Sequence, residues 1–187
     1  MSVGQILDEV RGYYLKRLMD QVLEFKKTDR FLREAAYCKA DGEFTTEGAL
    51  DLPLRMDLYL YENESHPAEV FAVSSQNMLS FEPVQFNWGS MLIKLHPFRW
   101  EELLVMAELP SSPDWRALKE WFWKWFQDDD SGDEDFLQAV HFLSDPNPQD
   151  GGFEFQMDLG TAPVEAFEEL LDALVECGAT RVEIGCP

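Results

Sequence analysis

The side chains of this chain that could do acid–base or metal chemistry are 36 carboxylates, three histidines and three cysteines. The densest group is the acidic run Asp128, Asp129, Asp130, Asp133, Glu134 and Asp135. Its Gly132 invites a calcium-loop reading, but placing Gly132 at the sixth position of an EF-hand loop puts Gln127 first and Gln138 twelfth. The leading Asp and the bidentate Glu are then both missing. The run reads instead as a solvated acidic linker that can steer a basic partner. His66, His96 and His141 are scattered, two of them directly before proline, with no HExxH pair and no His-plus-carboxylate spacing suited to a metal. His96 and His141 read as sheet residues. Cys38, Cys177 and Cys186 are odd in number and lack a CxxC spacing, so neither a disulfide framework nor a cysteine zinc site is expected, and a reducing cytoplasm is the simplest home.

Nucleophilic and phosphate chemistry find no motif: there is no GxSxG elbow and no phosphate-cradling glycine loop. Pairs such as Glu101 with Glu102, or Asp57 with Glu69, have the chemistry of an acid and a base, but a chain with this many acids produces such pairs freely. No catalytic residue, metal ligand or cofactor is therefore assigned, and the reading leans away from an enzyme.

The formal charge of −21 is unevenly spread. Residues 1–100 hold 11 Lys and Arg against 15 Asp and Glu, whereas residues 101–187 hold 4 against 21. A field of that sign repels nucleic acid and anionic lipid and draws basic partners inward. No apolar run reaches the roughly 18–20 residues of a membrane span, and Met1–Tyr14 carries acids where a signal peptide has a basic start, so neither is expected.

The elements that must position these groups follow from periodicity. Ile6, Leu7, Val10, Tyr14, Leu18, Val22 and Phe25 recur at helical spacing and predict a helix from about Ser2 to Lys27, with Phe31–Tyr37 extending it or forming a short second helix. Alternation from Leu50 to Leu60 predicts a half-buried strand with Asp51, Arg55 and Asp57 on its polar side. Strands at Glu69–Ser75, Met78–Phe86 and Ser90–Leu95 complete an antiparallel meander that the first helix covers.

In the second half, a strand at Leu103–Leu109, a helix from Pro113 to Gln127, strands at Gln138–Leu143 and Phe153–Leu159, a helix from Pro163 to Glu176 and a strand at Arg181–Gly185 give the order βαββαβ. That order resembles the split βαβ arrangement of ferredoxin-like sandwiches, an architecture that hosts many activities. The chain is thus expected to be α/β of the α+β type: a helix on a meander (residues 1–100), then a ferredoxin-like half (residues 101–187). Whether the two halves share one sheet is left open.

Two surfaces stand out on this framework. Glu165, Glu168, Glu169 and Asp172 line the polar face of the last helix, which has no Lys or Arg; like charges four residues apart cost a few tenths of a kcal/mol per pair, so helix stability alone does not select them. Trp123 falls off the buried stripe of Trp115, Leu118, Trp121, Phe122, Trp125 and Phe126, beside Arg116 and Lys119, where a ring is exposed enough to stack on the Lys119 stem or to anchor an interface. The functional expectation is a non-enzymatic cytoplasmic protein whose acidic second half binds a basic protein, as an inhibitor, an immunity protein or a nucleic-acid mimic would, with no direct nucleic-acid or membrane binding. The competing expectation is a small-molecule site or enzyme pocket between the halves, marked by a cavity lined by His96, Trp100 or His141. Oligomeric state is not legible.

Overall fold

The computed structural model describes residues 1–27, 31–63, 66–75, 77–126 and 136–186. The expected steering cluster, Asp128 to Asp135, lies outside the described residues. Helix α1 (Val3–Phe25) starts on a capping box, Ser2 Oγ accepting from the Gln5 backbone and the Gln5 side chain accepting from Ser2, which satisfies two orphan N–H groups of the first turn. Its buried stripe is Ile6, Leu7, Val10, Tyr14, Leu18 and Val22.

Next come β1 (Phe31–Ala36), β2 (Thr46–Glu47), β3 (Leu52–Pro53), β4 (Arg55–Asn63) and β5 (His66–Phe71). The chain continues through β6 (Val84–Trp88), β7 (Met91–Leu95), β8 (Leu103–Glu108), α2 (Arg116–Phe126), β9 (Phe142–Leu143), β10 (Asn147–Gln149), β11 (Gly152–Asp158), α3 (Val164–Glu176) and β12 (Arg181–Gly185). No helix among the described residues is long and apolar enough to cross a membrane. The result is a mixed α and β architecture of the α+β type.

Two sheets dominate. A three-stranded antiparallel sheet has the order β1-β4-β5. A seven-stranded sheet has the order β10-β11-β8-β12-β7-β6, with β9 also paired to β11. Every pairing in the larger sheet is antiparallel except β7 with β12. The short pair β2-β3 stands apart. The strands expected as one meander are thus distributed between both sheets. Helices α2 and α3 pack together over the apolar face made by Leu103, Val105, Phe155, Met157, Val182 and Ile184, with the Trp115 ring edge-on to Phe153 and Phe155. Leu92 and Met106 on the opposite face remain exposed, the alternation of a sheet covered on one side.

Several expectations are corrected. Phe31–Tyr37 is no helix: Phe31–Ala36 is the strand β1, because pairing with β4 outweighs weak local propensity. The strand expected over Met78–Phe86 begins at Val84, just after Pro83, which has no N–H to give a ladder. Of Gln138–Leu143 only Phe142–Leu143 is strand; the rest crosses from α2, where Val140 N donates to Trp125 O, to β11, where His141 N donates to Asp158 O. The polar side of β4 also faces inward, since Arg55 and Asp57 are buried.

Candidate functional site

His141 lies at the junction of the two sheets because its backbone serves both. Arg55 N on β4 donates to His141 O at 2.9 Å, and His141 N donates to Asp158 O on β11 at 3.0 Å. Around its ring gather Tyr14 from α1, Glu34 from β1, Asp57 from β4, Asp158 from the end of β11 and Thr161 from the turn before α3. Glu34 and His141 are 1% and 0% exposed, a burial that carboxylates reach only when paired. Asp158 keeps 23% of its side-chain surface exposed.

The geometry is specific. His141 Nε2 lies 3.2 Å from Glu34 Oε1, which also accepts the Thr161 hydroxyl, while Leu137 N donates to Glu34 Oε2 at 2.8 Å. On the other side of the ring, Nδ1 lies 3.1 Å from Asp57 Oδ1 and 3.8 Å from Asp158 Oδ2, yet makes no aligned hydrogen bond. Asp57 accepts the Tyr14 hydroxyl on Oδ1 and the Val73 N–H, at 2.5 Å, on Oδ2. Asp158 Oδ1 takes the Gly160 N–H at 2.7 Å. Around this core, Arg55 donates from Nε to Phe126 O and from Nη1 to Glu34 O, its guanidinium 4.4 Å from the Phe126 ring centre. Arg11 ties α1 to the carbonyls of Thr161 and Ala162. Nearby, Glu101 Oε1 accepts two bonds from Ser75, and its buried Oε2 has no partner.

Electrostatics separates the acids into two groups. Burial alone would push the His141 imidazolium down, but the contacts with Asp57 and Glu34 and the charge of Asp158 overcome it and hold the pKa up at about 10. Burial also opposes ionisation of Glu34 and Asp57, yet His141 and the hydrogen bonds they accept hold both below the usual carboxylate range. Asp158 is raised to about 7, first by burial and then, against the pull of His141, by the charges of Asp57 and Glu101; its solvent contact moderates the burial. Burial and Asp57 raise the Tyr14 hydroxyl well above its ordinary value.

Backbone strain marks the same place. Glu34 sits opposite Asp57 in the β1–β4 register but is left out of the pairing, with φ at +48°, and Gln138 has φ at +59°. Such values are uncommon for residues with a side chain and cluster where function or packing over-determines the backbone. Gly160, at φ +52°, is required here: a Cβ would come 2.3 Å from His141 Cδ2 and 2.5 Å from Ala139 O. Gly160→Ala is therefore expected to destabilise by more than ~1 kcal/mol, read from the shift of the urea midpoint.

The expected surface residues are placed as follows. Glu165 and Glu168 on α3 are exposed. Glu169 instead pairs with Lys124 Nζ at 2.6 Å and takes the Trp125 Nε1–H at 2.9 Å; the lysine holds its pKa low. Asp172 accepts from Trp88 Nε1 at 2.7 Å. A groove between α2 and α3 is lined by Glu120, Glu169, Asp172 and Glu176, with Lys124 as its basic residue. Trp123, 40% exposed, packs against Phe44, Phe122 and Phe126 and lines a different groove, beside Arg116, Lys119 and Lys124. No family model matches this chain, and no characterised protein or solved structure matches it.

Reasoning from sequence missed Glu34, Asp158 and Thr161 and read His141 as an ordinary sheet residue. One signal was present: Tyr14 falls within the apolar stripe of α1, and a buried phenol needs an acceptor.

Proposed function

We propose that the protein is a non-enzymatic, cytoplasmic interaction protein that binds a basic macromolecule through the acidic outer face of the α2–α3 layer. Its function is then that of an inhibitor or immunity protein covering a cationic toxin or nuclease site, or of a nucleic-acid mimic. The observation that carries this reading is the run of outward acids Glu165, Glu168, Asp172 and Glu176 along α3, joined by Glu120 from α2, against the one base Lys124 in the groove between them. Glu169 holds that lysine, so the remaining acids present their charge outward. The acidic stretch Asp128, Asp129, Asp130, Asp133, Glu134 and Asp135 adds to the same field by its composition. Trp123 is the proposed apolar anchor at the side of this face, where a partner would cover an already ordered ring.

The side-by-side order β12-β8-β11-β9, linked through α2 and α3, supports reading the second half as a ferredoxin-like sandwich, extended by β7 and β6. Residues 1–100 and 101–187 are accordingly proposed as two halves joined through the pairing of β7 with β12.

The test is binding to a basic partner recovered at about 0.05 M salt, measured again at about 0.5 M, where the Debye length falls well under 8 Å. The quadruple reversal Glu165→Lys, Glu168→Lys, Asp172→Lys and Glu176→Lys is expected to weaken that affinity at least ~10-fold at low salt, mainly through slower association. Unchanged affinity in the quadruple variant would remove the electrostatic basis of the reading.

A further inference from the structure

We infer that Asp57, His141 and Asp158 form a binding site for a divalent first-row transition cation, Zn2+ or Mn2+, independent of the partner surface. The three residues lie far apart in the chain, and one ligand atom from each falls within 4.8 Å of the others. Bonds of about 2.0–2.1 Å to a tetrahedral ion place neighbouring ligand atoms about 3.3 Å apart. The separations from His141 Nδ1, 3.1 Å to Asp57 Oδ1 and 3.8 Å to Asp158 Oδ2, lie on either side of that distance. The Asp57 and Asp158 oxygens lie within 4.8 Å of each other, and rotation of the two carboxylates toward His141 Nδ1 completes the set.

The histidine is prepared for the task from behind. Glu34 binds Nε2 at 3.2 Å and is itself fixed by Thr161 and Leu137 N. An ionised carboxylate only accepts, so Nε2 keeps its hydrogen, and an ion that displaces the proton on Nδ1 meets a lone pair facing Asp57 and Asp158. A carboxylate on the far nitrogen is the usual outer support of a metal-ligating histidine. Nδ1 is fully buried and lacks an aligned hydrogen bond, a vacancy that a polar atom in a close-packed interior rarely keeps. Asp158 is held through Oδ1 by Gly160 N, which leaves Oδ2 turned toward His141; Asp57 is held through Oδ2 by Val73 N, while its Oδ1 takes the Tyr14 hydroxyl and also faces His141. Gly160 flanks the imidazole on the side where a Cβ would come 2.3 Å from His141 Cδ2, so the ring is bounded there by backbone.

Charge and donor type select the ion. With Glu34, the three carboxylates surround a single imidazole, a surplus of negative charge that a divalent cation offsets. One nitrogen and two carboxylate oxygens suit Zn2+ or Mn2+ better than Ca2+ or Mg2+, which prefer oxygen-only sets, or Cu(I), which prefers thiolate. Asp158, the partly exposed member, marks the side from which the ion enters. Glu34 is a positioning residue and does not touch the ion.

The experiment uses the full chain, stripped with a chelator and titrated calorimetrically with Zn2+, Mn2+ and Mg2+. One Zn2+ or Mn2+ per chain is expected, with Mg2+ at least ~10-fold weaker. Asp158→Asn should lose at least ~10-fold in affinity and Glu34→Gln ~10–100-fold, while His96→Gln, at a surface histidine near Glu183, should bind as the wild type does. A second measurement needs no variant: the 15N resonance of His141 Nδ1 should move, on addition of one equivalent of Zn2+, from the value of a protonated ring to that of a metal-bound nitrogen. Binding unchanged by Asp158→Asn, no stoichiometric binding, or an Nδ1 resonance that stays at the protonated value overturns the inference.

Discussion

Replacing His141 with alanine is expected to lower stability by about 3–5 kcal/mol at pH 7, a large part of the ~5–15 kcal/mol that holds a domain folded. The cost follows from what remains after the ring is gone. Glu34 and Asp57 stay buried within reach of Asp158, and the contacts with His141 that hold both ionised are removed. Urea unfolding followed by tryptophan fluorescence measures the loss. His96→Ala is the reference, because that ring is 35% exposed and faces Glu183 at 3.5 Å, a surface contact worth at most about 1 kcal/mol. A sharper form of the prediction uses non-additivity. The triple variant His141→Leu, Glu34→Gln, Asp57→Asn removes the stranded charges along with the ring, so it should be less destabilised than His141→Ala alone. A single variant within ~1 kcal/mol of wild type would mean that the ring does not hold these acids as ions.

The elements were legible where one physical signal dominated. The 3.6-residue stripe of α1 and the strand at Arg181–Gly185 needed no tertiary information, and both appear where periodicity places them. The segment after α1 was not legible, since β1 exists only by pairing with β4, a contact between residues as far apart in the chain as Phe31 and Leu60. The cluster was hidden for a related reason. Glu34, Asp57, His141 and Asp158 each look like a surface residue in their own window, and Asp57 sits on what alternation marks as the solvent side of a strand. Only when the backbone of His141 joins β4 to β11, and α1 closes over both with Tyr14, does that side become interior. The acidic face of α3 shows the reverse: its charge was readable, but the Lys124 and Trp88 partners that occupy Glu169 and Asp172 come from other elements.

The chelated protein is expected to be most stable in mildly acidic solution and to lose stability steadily from about pH 7 to pH 10, by an amount on the order of 5 kcal/mol. The sign follows from His141, whose folded pKa of about 10 lies above its ordinary value of 6.5. A raised value gives stability that is complete below the unfolded pKa and lost as pH climbs through the folded one. Asp158, raised to about 7 from 3.8, adds a loss of the same sign between those values. Glu34 and Asp57 are lowered, so their contribution is present above about pH 4 and disappears as pH falls further, which sets the acid side of the maximum. Tyr14, raised by burial and Asp57, continues the alkaline loss beyond pH 10. Repulsion within a chain of charge −21 also grows with pH, and salt separates the two causes. Surface repulsion is screened at about 0.5 M, whereas charges buried within a few ångströms of one another are not. The alkaline limb should therefore persist in high salt and be absent from His141→Ala; a limb that salt abolishes, or that the variant keeps, would assign the loss to the surface and leave the buried histidine without its proton.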